Sequence, residues 1–248
     1  MRQRTATAVA VLTLVMASTA ACGGESSGTD RPADAKKPER QSTAPASPTP
    51  APSGPARPAA PQKDLSKAEL EAAILAKGDV PGFNAGPLEA PPAQGETPDK
   101  AECAPITAVI NGKPEPVARA SAYRQLTGAK DDRPAVSEFL TSHGAQGAAT
   151  VLSRLRTAVE ACGGGFRASG AEGPSTYRSV KALPVARVGD DAFAYQVTGD
   201  FEGIPVPLVF QVVRSGGTLA TFYTANLEGP QTPKIPPALL TAQTAKLK

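Results

Sequence analysis

The chain has 248 residues, with 26 Lys and Arg against 23 Asp and Glu, one His, three Cys, four Tyr, seven Phe and no Trp. The formal charge of +3 belongs to the N-terminal quarter: residues 1–63 hold eight basic and four acidic residues, leaving 18 basic against 19 acidic in 64–248. A near-neutral body without a basic run gives no footing for binding nucleic acid or for docking electrostatically on an anionic membrane surface.

Arg2 and Arg4 open the chain, Ala8 to Met16 is apolar, and Ala17-Ser18-Thr19-Ala20-Ala21 is a run of small residues. That order is a secretory signal, and its apolar core is too short for a spanning helix. Residues 1–21 are therefore expected to be a signal peptide. Ala20-Ala21-Cys22-Gly23 resembles the lipobox of bacterial prolipoproteins, with Thr19 where that family usually has Leu. The resemblance implies acylation of Cys22 and a protein anchored to the outer face of the cell membrane. Plain cleavage after Ala21 is the alternative, and it would leave an odd thiol exposed in an oxidising compartment. A cysteine carrying two or more acyl chains holds a protein stably, at ~0.8 kcal/mol per buried methylene.

Residues 22–63 contain nine prolines, many Ala, Ser and Thr, and no aromatic residue. Such a tract cannot bury enough apolar surface to offset its ordering entropy and is expected to be a disordered tether. Its prolines favour extension at ~3.1 Å per residue, a reach of roughly 100 Å. Residues 64–248 then have the composition of a single folded domain.

Ser66 and Glu69 form a capping box flanked by the apolar pair Leu65 and Leu70, predicting a helix that Gly78 stops. A Pro/Gly-rich stretch follows, then a short helix from Cys103 to Ile110 closed by Asn111-Gly112. Ala135–Ser142 reads as a strand. Ala148, Leu152, Leu155, Val159 and Cys162 recur at helical spacing and predict a long helix over Ala145–Cys162, ended by Gly163-Gly164-Gly165. Beyond it the period becomes two, with strands predicted over Tyr177–Leu183, Asp191–Thr198, Pro205–Arg214 and Thr218–Ala225. Ser215-Gly216-Gly217 makes a hairpin of the last two, and a turn over Gly199–Gly203 joins the pair before it. Pro236-Pro237 introduces a last helix from Ala238 to Leu247. The expected fold is α+β: one antiparallel sheet with flanking helices, one face covered by the long helix.

Cys103 and Cys162 are expected to pair in an exported chain; no Cys-x-x-Cys suggests a redox site, and two cysteines with one distant histidine make no metal set. His143, beside Ser142 in a glycine-flanked loop, is expected to be solvent-exposed rather than a catalytic base, because adjacent side chains seldom converge. Asp190-Asp191 read as turn residues at a strand entrance. Arg178, Arg187 and Arg214 fall on or beside strands, where they could line an anion pocket but more often lie on a solvated face. No nucleophile elbow, Walker loop or zinc-protease motif occurs. No enzyme activity, cofactor or metal is expected.

Gly78-Asp79-Val80-Pro81-Gly82, the placing of Cys103 and Cys162, Val188-Gly189-Asp190-Asp191-Ala192 and Val213-Arg214-Ser215-Gly216-Gly217-Thr218-Leu219 follow the lipobox and tether in order. In this pattern the chain resembles actinobacterial secreted lipoproteins related to the extracellular sensor domain of mycobacterial serine/threonine protein kinase H. The resemblance covers most of residues 64–248 and implies a sensor-like domain with a cleft, its ligand unnamed. With no kinase domain or membrane span here, signalling would pass through a partner protein. The expected function is a tethered, non-catalytic module for a small-molecule, lipid or cell-wall ligand. The alternative is a lipid carrier holding acyl chains in an apolar cavity, and a third reading is a cell-wall hydrolase using Asp190, Asp191 or Ser142.

Overall fold

Residues 64–248, apart from 90, 92–94, 131–133 and 172, are described by a computed structural model. The expected signal peptide, acylated Cys22 and proline-rich tether lie outside the described residues.

Nine strands form one antiparallel sheet: β1 (Phe83–Pro87), β2 (Thr97–Pro98), β3 (Ala120–Gly128), β4 (Val136–Ser142), β5 (Phe166–Gly170), β6 (Gly173–Leu183), β7 (Asp191–Phe201), β8 (Ile204–Ser215) and β9 (Thr218–Ala225). Their order across the sheet is β1-β3-β4-β9-β8-β7-β6-β5-β2. Four helices cover it: α1 (Lys67–Ala73), α2 (Ala104–Ile110), which follows a 3₁₀ turn at Ala101–Cys103, α3 (Gly144–Ala161) and α4 (Pro237–Lys246).

Alternation along the central strands sorts their side chains to two cores. Tyr195, Val197, Leu208, Phe210 and Val212 face α3 and α2, meeting Ile106, Leu152, Leu155 and Val159. Their intervening neighbours, among them Val209, Val213, Ala220 and Phe222, face the other way and pack with Leu70, Ile74, Leu75, Leu239 and Leu240. Both faces of the sheet are thus covered. On the first face, Tyr195, Phe210 and Tyr223 stack in series, with ring centroids 5.1 and 4.9 Å apart.

A disulfide joins Cys103, in the 3₁₀ turn, to Cys162, the C-cap of α3, with Cα atoms 5.9 Å apart. It fastens α2 to the far end of the long helix. Gly165 is the member of the glycine run that the fold needs. Its φ is +81°, and a Cβ there would lie 2.2 Å from the Tyr177 carbonyl oxygen, as β5 turns back against β6.

Two expected boundaries move. The capping box at Ser66 and Glu69 is present, but α1 ends at Ala73 instead of running to Gly78. Ile74 turns extended (ψ 152°), so that Ile74 and Leu75 both enter the second core, each 1% exposed. The turn between β7 and β8 is only Glu202-Gly203, both at positive φ, and the strands run on to the facing pair Phe201 and Ile204. Two consecutive left-handed residues suit the twist of a tight hairpin, so Gly199–Phe201 remain in the ladder.

Candidate functional site

An open groove of about 810 Å³ lies on the face that carries α4. Three separated segments build it. The β6–β7 connection supplies Leu183 to Gly189; β8 supplies Val209 and Gln211; the approach to α4 and the helix itself supply Thr232 to Ile235 and one helical face. Val209 is 1% exposed, and Ile235 and Leu240 are 4% exposed, so the floor is continuous with the second core.

The walls are held by polar contacts behind the groove. Thr232 donates its hydroxyl to Gln196 Oε1 at 2.6 Å, tying the entry of α4 to β7. On the far side of the helix, Gln243 Nε2 donates to the Ala73 carbonyl at 3.1 Å and Lys246 Nζ to that of Ile74 at 3.0 Å. Lys246 also pairs with Asp79, whose carboxyl it holds below the usual carboxylate range. The helix is therefore strapped to the end of α1 and presents a fixed face to the groove.

Arg187, Lys234 and Lys248 line the groove, and no Asp or Glu does. These three cations have no hydrogen bond or ion pair among the described residues. The other two arginines singled out in the sequence are engaged. Arg178 pairs with Asp200 at 2.7 Å, and Arg214 reaches Asp190 at 3.5 Å. Arg156 grips Asp191 through two bonds of 3.0 and 2.7 Å while its guanidinium lies over Phe193. That grip lowers the Asp191 carboxyl. Of the three arginines singled out in the sequence, only Arg187 lines the groove.

Asp190 accepts the Gly216 amide at 2.7 Å, so each carboxylate of the Asp190-Asp191 pair is held in a contact that shapes the strand entrance. His143 is a correction: it is buried, 6% exposed, where the glycine that follows it suggested a solvated loop. The β8–β9 turn closes over it, with the Gly217 carbonyl accepting the His143 amide at 2.8 Å. A Cβ on Gly217 would lie 2.8 Å from Gly144 Cα, so the approach depends on glycine. The ring is used up. Nδ1 donates to the Pro116 carbonyl at 2.8 Å, which leaves Nε2 to accept from the Thr141 hydroxyl at 3.0 Å. Burial lowers its pKa, which favours the neutral ring. The neighbouring Ser142 Oγ is buried without a hydrogen-bond partner, so the two form no dyad.

One buried group had no signal in the sequence. Glu138, in the middle of β4, is 0% exposed, and neither carboxylate oxygen has a hydrogen-bond partner. It stands between Arg124 of β3 and Phe222 of β9, on the face that α1 and α4 cover. Burial pushes its pKa up to about 8, only partly offset by the positive charges of Arg124 and Lys246 and by the Leu75 amide, which falls short of hydrogen-bond geometry.

Among the described residues no cluster of His, Cys, Asp and Glu is arranged to hold a metal ion. No described helix is long and apolar enough to cross a membrane.

No protein-family model matches the chain, and neither does any curated protein. Among solved structures it is similar to the extracellular domain of PknH from Mycobacterium tuberculosis, at 9% identity and a TM-score of 0.47 over 75% of this chain and 95% of that one. The resemblance is distant and structural.

Proposed function

We propose that the chain is an extracytoplasmic lipoprotein whose domain binds a ligand without transforming it. Cys22 carries the acyl anchor, residues 22–63 space the domain from the membrane, and residues 64–248 hold the ligand in the groove beside α4. One observation carries the binding half: an open groove of about 810 Å³, within the usual size of small-molecule sites, with an apolar floor and unpaired cations at its edge. The anchoring half is supported by Cys22 in its lipobox-like setting.

The candidate nucleophile and base are committed to structural contacts or to burial, which supports a non-catalytic role. The apolar floor also gives the alternative, a carrier of acyl lipid, a specific footing. Two measurements test the reading on protein purified from its own host. In a detergent phase separation the native chain enters the detergent phase, while Cys22→Ser stays in water. Native mass spectrometry then reports what remains bound. An aqueous native chain with a free thiol overturns the anchor. Co-purified acyl lipid would select the carrier over the sensor-like module.

A further inference from the structure

The geometry points to one class of occupant for this groove: a fatty-acid-like amphiphile, its single acyl chain lying along α4 and its carboxylate between Arg187 and Lys234. The inference rests on the reading above that the groove is the binding site, and it adds the shape and charge of the ligand.

Shape comes from the helix. The residues of the α4 segment that line the groove are Pro237, Leu240, Thr241, Thr244, Ala245 and Lys248. They step by three and one in turn, which is a single helical face. At ~1.5 Å per residue that face runs about 15 Å, the reach of a medium-length acyl chain. Opposite it stand Val209 of β8 and Leu183 and Val185 of the β6–β7 connection. A groove lined along one helical face, with apolar residues contributed by the other two segments, favours a chain over a compact polar ligand, since each methylene it covers contributes ~0.8 kcal/mol.

Charge comes from what is missing beside Arg187 and Lys234. Elsewhere in the described domain guanidiniums meet carboxylates at Arg124–Glu71, Arg178–Asp200 and Arg214–Asp190 on the strands, and at Arg156–Asp191 from α3. Arg187 and Lys234 line the groove from two different segments, one in the β6–β7 connection and one just before α4, with no Asp or Glu side chain in the lining. An anionic head there gains two opposite charges, and a cationic head meets repulsion.

The test uses the full chain carrying Cys22→Ser, so that no acyl group of its own competes, and titrates three probes below their micelle concentrations. The probes are sodium dodecanoate, 1-dodecanol and dodecyltrimethylammonium, with Kd read by calorimetry. Dodecanoate is expected to bind at least tenfold more tightly than the alcohol, and the ammonium more weakly than either. Arg187→Ala with Lys234→Ala removes the advantage of dodecanoate and leaves the alcohol unchanged. Both side chains are exposed, so the unfolding temperature stays where it was. Thr241→Trp, placed on the exposed groove face of α4, fills the space and abolishes binding of all three. Equal affinity for dodecanoate and dodecanol overturns the anionic head while leaving the groove as the binding site. Tighter binding of the ammonium overturns it as well. Binding of none of the probes retires both this inference and the reading it rests on.

Discussion

Replacing Glu138 by Gln should make the protein more stable, and only above acid pH. The carboxyl is 0% exposed and without a hydrogen-bond partner, and its pKa rises from 4.5 to about 8. Below pH 4.5 the group is protonated in folded and unfolded chains alike. Between 4.5 and about 8 only the unfolded chain releases the proton, so stability falls with each step in pH. Above about 8 the folded chain ionises too and the loss is complete. At ~1.36 kcal/mol per pH unit this amounts to about 3–5 kcal/mol, a large part of the 5–15 kcal/mol that holds a typical domain. Glutamine keeps the shape and cannot ionise. Urea unfolding of wild type and Glu138→Gln at pH 4, 6, 8 and 9 isolates the effect, because the other titrating groups cancel in the difference. The gap should be within about 1 kcal/mol at pH 4, grow through pH 6 and level off above 8. A gap that does not change with pH would falsify the account of a buried, neutral carboxyl.

Reduction of the Cys103–Cys162 bond, which closes a separation of 59 residues, should cost about 4 kcal/mol on the chain-entropy model; an unmoved urea midpoint in reductant refutes it. Gly165→Ala should cost more than ~2 kcal/mol, because φ is +81° and the new Cβ meets backbone. Gly164→Ala next door, where a Cβ meets nothing within 4 Å, should stay within ~0.5 kcal/mol, and equal effects would contradict the contact geometry. His143 should be neutral with its proton on Nδ1 at pH 7.5, as read by nitrogen-15 NMR of the ring; a proton on Nε2 instead removes the hydrogen-bond assignment. Arg156→Ala should lose no more than ~1 kcal/mol despite its two-bond grip, since both partners are more than a third exposed.

The parts of the fold legible in the sequence are those whose apolar residues keep one period. Phe193, Tyr195 and Val197, then Leu208, Phe210 and Val212, announce β7 and β8 because both strands lie under α3. Strand β3 was hidden because its second-core face is carried by Ala120, Ala122 and Leu126, interrupted by Arg124 pairing with Glu71. Strand β1, Phe-Asn-Ala-Gly-Pro, is an edge built from poor strand formers that the β3 ladder imposes. Strands β5 and β2 are short and close the other edge. The candidate site was nearly invisible for a different reason. Its walls come from residues 183–189, 209–211 and 232–248, which share no motif and meet only when β8 brings them together. Of the candidate site residues that the sequence offers, only Arg187 lines it. His143 misled because flanking glycine reads as a loop tip, whereas Gly144 and Gly217 let two backbones touch and seal the ring.

Strand β9, the last of the nine along the chain, stands between β4 and β8 and is the only bridge between the two wings of the sheet. Until Thr218–Ala225 is in place, the ribbon of β1, β3 and β4 has an unpaired inner edge at β4, and neither core can close. Maturation therefore waits on the completed polypeptide, and contacts between residues some 80 positions apart set a slow, non-local folding step. A premature stop just before that strand would leave two unjoined ribbons with raw edges, which is material for aggregation and not a smaller working domain.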